Sequence, residues 1–176
     1  MHTQTVSKTI VNFLKSYTPF CTHALTMQMN LPTLNASDAY MEYLHEQATK
    51  NVTHFINRVA YKAYGNGAKR KPNKYSPLII TTIEGTLNTY DMNRTLHAHM
   101  AIGNIITPNS NIKTEEQLLH TIETEWLNTT YGNKNILVEK MHSTGWINYI
   151  TKELYNGNMD CISWENTRIP HAALLI

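Results

Sequence analysis

Two histidines that flank one small apolar residue, in Leu96-His97-Ala98-His99-Met100, are the side chains of this sequence best spaced to do chemistry. The stretch is β-compatible, and side chains along a strand alternate between its faces. His97 and His99 then point one way, while Leu96, Ala98 and Met100 point the other way into a core. Two imidazoles side by side on a supported surface begin a divalent-metal site. A carboxylate would add charge, and Glu84, at the end of the preceding strand, is the best third ligand. Ile80, Thr82 and Glu84 share a face. A hairpin through the Gly85–Arg94 connection sets Glu84 toward an imidazole on its neighbour. Glu139, His142 and His23 are weaker candidates. The plainer reading of the pair is two partly exposed surface histidines.

A second segment, Gly145-Trp146-Ile147-Asn148-Tyr149-Ile150-Thr151-Lys152-Glu153-Leu154, reads as a helix. Ile147, Ile150 and Leu154 form its buried stripe. Tyr149 and Lys152, three residues apart, are surface neighbours that point away from that stripe. They are either a surface aromatic with a solvated cation, or a nucleophile with a cation beside it. A phenol ionises near pH ~10 and is a poor nucleophile at neutrality. It needs an electrophile with neutralised charge, such as a phosphodiester beside a metal and a lysine.

These residues need elements to position them. Residues 5–16 read as a short amphipathic helix and 21–30 as a strand alternating Leu25, Met27 and Met29 with polar residues. Ser37 or Asn35 caps a long helix over 38–64, ended by Gly65-Asn66-Gly67. Strands follow at 78–84 and 95–103, a helix from 114 to 127, and a strand at 135–141. A helix capped by Ser143 or Thr144 runs through 155, and a last strand spans 159–164. Hairpins mixed with helices make an α+β fold, a central, largely antiparallel five-stranded sheet with helices packed on it. No linker or repeat divides the 176 residues, so one domain is expected over 1–176.

Composition sets the bounds. A hydrophobic share of 41% suits a soluble globular core. No apolar run approaches the ~20 residues that span a bilayer, and the N-terminus lacks the apolar core of a signal peptide. Cys21 and Cys161, far apart, read as reduced core thiols of a cytoplasmic protein. The net charge of +2 says little. The local cluster Lys69-Arg70-Lys71-Pro72-Asn73-Lys74 says more: it either contacts phosphates or is a solvated loop.

Taken in order, the motifs resemble those of the HUH endonucleases, single-strand nickases that start rolling-circle replication of plasmids and small phages. His97-Ala98-His99 is similar to the family's histidine–hydrophobic–histidine motif. Tyr149-Ile150-Thr151-Lys152 is similar to its helical tyrosine motif, and Ala24-Leu25-Thr26-Met27-Gln28-Met29 to its apolar-threonine strand. Ile83-Glu84-Gly85 resembles its acidic ligand position. The resemblance spans about residues 20–165 and rests on one tyrosine at the motif, because Tyr155 lies off the two-tyrosine spacing.

The resemblance implies a ferredoxin-like nuclease fold and a Mg²⁺ or Mn²⁺ ion on His97, His99 and Glu84. It implies that Tyr149 attacks single-stranded DNA and stays joined to the 5′ phosphate, with Lys152 neutralising charge. It also implies a DNA groove edged by Lys69, Arg70, Lys71 and Lys74 and recognition of an origin hairpin, and it carries the expectation of a host helicase and polymerase as partners. A relaxase or single-strand transposase would share the site. A non-catalytic nucleic-acid module would instead use the sheet for stacking, but strands 24–30 and 96–103 hold few aromatics. A different metal-dependent phosphoesterase would leave Tyr149 structural.

Overall fold

The computed structural model describes residues 2–85 and 95–170. The polar connection over 86–94 lies outside the described residues. Four strands form one antiparallel sheet in the order β2-β3-β1-β4: β1 is His23–Pro32, β2 Leu78–Glu84, β3 Thr95–Gly103 and β4 Gly132–Lys140. The helices are α1 (His2–Lys15), α2 (Asp38–Tyr64), α3 (Asn66–Arg70), α4 (Glu115–Leu127), α5 (Gly145–Ile150) and α6 (Lys152–Tyr155).

Strand alternation divides the core in two. Leu25, Met27 and Met29 of β1 join Ile79 and Ile83 of β2 and Leu96, Ala98, Met100 and Ile102 of β3 in one buried cluster. Into it α2 lowers Leu44, Ala48, Val52, Phe55, Ile56, Val59 and Ala63, a stripe at three- and four-residue steps. Ser37 starts that helix by accepting a hydrogen bond from the Tyr40 amide. Each large side chain buried this way contributes roughly 1.5–3 kcal/mol of transfer free energy. On the opposite sheet face, Leu78, Ile80 and Ala101 pack against Val11 and Leu14 of α1 and against Ile147, Ile150 and Leu154. The sheet is thus sandwiched between two helical layers. Both cysteines are unpaired and buried in this second cluster.

The sheet has four strands, not the expected five. Residues 159–164 do not form a strand: Met159–Cys161 and Trp164–Asn166 are 3-10 turns. The segment still lies along the outer edge of β2, but touches it through isolated bridges, Thr82 to Ile162 and Ile79 to Arg168. Curling into single turns leaves too few consecutive extended residues for a ladder. Asn166, fully buried, holds the segment instead. Its amide donates to Thr49 O and Ser163 Oγ and accepts from Thr53 Oγ1.

Two further expectations change in detail. The helix expected through 155 is broken at Thr151, whose buried hydroxyl donates to Ile147 O at 2.6 Å, so Tyr149 and Lys152 lie on two short helices. Gly65, at φ +55°, ends α2, but α3 begins immediately, so Lys69 and Arg70 are helical and not part of a loop. No helix among the described residues is long and apolar enough to cross a membrane.

Candidate active site

The sheet register brings the site together. Glu84 pairs with His97 and Thr82 with His99 across β2 and β3; Thr26 pairs with His99 and Gln28 with His97 across β3 and β1. All six side chains alternate onto the face opposite α2. Glu84 Oε2 lies 3.6 Å from His97 Nε2 and 3.5 Å from His99 Nε2. One ligand atom from each of the three residues falls within a sphere of contacts no wider than 4.8 Å. Lys152 Nζ donates a hydrogen bond to the same Oε2.

The two histidines are not equivalent. His97 is partly exposed, and its Nδ1–H donates to Thr95 O at 3.3 Å, which leaves Nε2 as an acceptor. His99 is buried, with Nδ1 2.9 Å from Thr26 Oγ1. Orienting a ring through one nitrogen is how proteins aim the other at a metal. His99 Nε2 and Glu84 Oε1 are buried without a hydrogen-bond partner. Two imidazoles and a carboxylate with unspent lone pairs, gathered on one face, fit a divalent cation.

Electrostatics agree with that donor set. Burial pushes the Glu84 carboxyl pKa up, but the close approach of His97, His99 and the Lys152 ammonium outweighs it and holds the group well below the usual carboxylate range. Burial pushes His99 down, against the pull of Glu84, so its imidazole favours the neutral, ligating form.

Helix α5 lays the aromatic groups over this cluster. The Tyr149 ring meets His99 edge-on at 5.3 Å and stacks on Trp146 at 5.2 Å and 21°. Trp146 is fixed in turn: Nε1–H donates to Met100 O at 2.9 Å. Lys152 Nζ sits 4.2 Å above the Tyr149 ring centroid. Tyr149, 48% exposed, lines an open cleft of about 490 Å³ with Thr26, Gln28, His97, His99, Asn135 and Leu137. Ile147, Ile150 and Leu154 are buried beneath it, as their spacing requires.

Five predicted residues therefore meet: Glu84, His97, His99, Tyr149 and Lys152. The others do not. His23 points to the opposite sheet face and lies 3.8 Å from Glu115. Glu139 pairs with Ala24, beyond Leu137 from the cleft, and His142 is exposed after β4. Lys69, Arg70, Lys71 and Lys74 follow the C-terminal end of α2, on the other helical layer, and do not edge this cleft. Sequence reading missed Trp146, Gln28 and Asn135, and gave Thr26 no role. Trp146 precedes Tyr149 by three residues, so that stacking was open to a helical wheel. The Gln28–Asn135 amide contact depends on strand pairing and had no local signal.

Comparison of the chain with protein-family models, with curated proteins and with solved structures gives no match.

Proposed function

We propose that this protein is an HUH-type nickase that cuts and rejoins single-stranded DNA through Tyr149, initiating rolling-circle replication at an origin hairpin. One observation carries the reading: Tyr149 shares a cleft with His97 and His99, and Lys152 joins its ring to Glu84 of the same cluster, although these residues come from distant parts of the chain. The antiparallel sheet with helices on both faces is compatible with the nuclease fold that the motif order implies.

Tyr149 Oη attacks the phosphorus, the P–O3′ bond breaks, and the phenolic proton leaves to solvent while the 3′ oxygen takes one up. The product is a 5′-phosphotyrosine and a free 3′ hydroxyl. The reverse attack rejoins the strand and needs no energy source, because one phosphodiester replaces another. Trp146 fixes the ring of Tyr149 by stacking. Lys152 places positive charge beside both the phenol and the cluster, where phosphate charge must be neutralised. Held by Glu84, His97 and His99, Mg²⁺ or Mn²⁺ would supply Lewis acidity to the scissile phosphate.

The test is incubation with circular single-stranded DNA and Mn²⁺. The expected result is linear DNA joined to protein in denaturing gels, with the adduct mapped to Tyr149. Cleavage without an adduct would favour a metal-dependent phosphoesterase in which Tyr149 is structural. Binding without cleavage would favour a non-catalytic module.

A further inference from the structure

Between Glu46 and Glu84 the chain carries Lys50, Arg58, Lys62, Lys69, Arg70, Lys71 and Lys74 and no acidic residue. The fold gathers most of these on the outer side of α2. Arg58, Lys62 and Lys69 line one cavity of about 370 Å³ together with His54, Tyr61 and Glu125. Arg70, Lys71 and Lys74 follow Lys69 at the end of α3 and just beyond it, and all three are exposed. These six cations and Glu125, the one carboxylate lining the cavity, sum to +5, larger than the +2 of the whole chain. Arg168 adds to its edge by donating to Asn57 Oδ1 at 2.7 Å.

This surface is separate from the cleft. Its residues lie on the helical layer that covers the Leu25–Met27–Met29 face, whereas His97 and His99 point to the other face. The C-terminal end of α2 is tied to the far end of β3 by the hydrogen bond from the Tyr64 hydroxyl to Asn104 O, and His97 lies near the start of that strand.

We infer that the α2–α3 surface is a second nucleic-acid site, which grips the sugar-phosphate backbone independently of the catalytic cleft. Arg58 and Lys62 are already paired with buried Glu125, so no single pocket is built for one small anion. Charges spread along a helix and its following turn instead match a polymer with regularly spaced phosphates. Tyr61, the exposed aromatic of the surface, is covered by the Lys69 ammonium 5.2 Å from its ring centroid, and Lys74 sits 5.4 Å from that of Tyr75. Such a surface offers little of the apolar centre a protein partner requires. The choice of polymer rests on the nickase reading; the binding itself does not require cleavage.

The experiment measures anisotropy of a labelled duplex and of the matching single strand, in EDTA, across 50–200 mM salt. A variant with Lys69→Ser, Arg70→Ser, Lys71→Ser and Lys74→Ser is expected to bind more weakly. Its log–log salt slope falls by about 0.9 per lost contact on duplex, or about 0.7 on a single strand, which tells the two sources apart. A variant with Lys69→Arg, Lys71→Arg and Lys74→Arg keeps the parental slope. Parental affinity and slope in the serine variant would overturn the site. A changed sedimentation coefficient with unchanged DNA binding would also overturn it, in favour of a contact with an acidic protein face. Charge-dependent binding by a protein that never forms an adduct would keep this surface and reject the nickase.

Discussion

Oε2 of Glu84 accepts a hydrogen bond from Lys152 Nζ and faces Nε2 of both His97 and His99. One oxygen thus serves the lysine and the candidate metal ligands together. A cation entering the cluster must compete with the ammonium for that oxygen and is repelled by its charge. Lys152→Met is therefore expected to tighten Mn²⁺ binding about tenfold, or about 1.4 kcal/mol, while slowing adduct formation. Titration of free Mn²⁺ by electron paramagnetic resonance reads the affinity. Equal or weaker binding in the variant would show that lysine and metal do not share the oxygen.

Tyr149→Phe is expected to abolish the covalent DNA adduct and to leave DNA affinity and melting temperature near those of the parent. Tyr149 is half-exposed and lines the open cleft, and the ring that stacks on Trp146 remains in the variant. An adduct that survives would move the nucleophile, and Tyr155, 55% exposed, would be examined next.

His97→Ala and His99→Ala are both expected to lose Mn²⁺-dependent cleavage, but only the second should weaken the fold. His97 is partly exposed, whereas His99 is buried under Trp146 and Tyr149. Removing a buried ring costs about 0.5–3 kcal/mol, which lowers the melting temperature by about 2–4 °C per kcal/mol in a chain of this size. Calorimetry beside a nicking assay checks both statements. Equal melting losses in the two variants would contradict the difference in burial.

Both thiols should be inert in the native protein. Burial pushes Cys21 up to about 12, and burial with nearby Glu153 and Glu84 pushes Cys161 up to about 12. The thiolate is the reactive form, so a disulfide reagent at pH 8 should label both groups only after denaturation. The stability sign follows. A thiol kept protonated by the fold favours folding below its unfolded pKa, near 9, and that contribution is lost as pH rises toward 12. Fast native labelling at pH 8 would refute the burial.

Asn166→Ala should destabilise the protein by about 1–3 kcal/mol, because it strands hydrogen-bonding groups of Thr49, Thr53 and Ser163 in or near the core. Urea unfolding gives the value directly. A neutral result would mean that the 159–168 segment adds nothing to the β2 edge.

Much of this fold and site is legible in local patterns. Alternation in Leu96-His97-Ala98-His99-Met100 suffices to put both imidazoles on one face, and the strand forms over 95–103 as read. The long stripe from Leu44 to Ala63, capped by Ser37, predicts α2, and Ile147, Ile150 and Leu154 predict which side of the Tyr149 segment is buried. These features repeat at the period of a strand or helix, so neighbouring residues carry the information.

Tertiary structure alone decided the rest. The last predicted strand had apolar residues, but its partner is the β2 edge and its anchor is Asn166, so it curled into turns with single bridges. The basic cluster reads as one motif, yet the length and packing of α2 carry it to the helical layer away from the cleft. The meeting of Glu84, Lys152, Trp146 and Tyr149 at one pair of histidines depends on sheet register and on how α5 docks. Those are set by packing between residues far apart in the chain, and no local period records them.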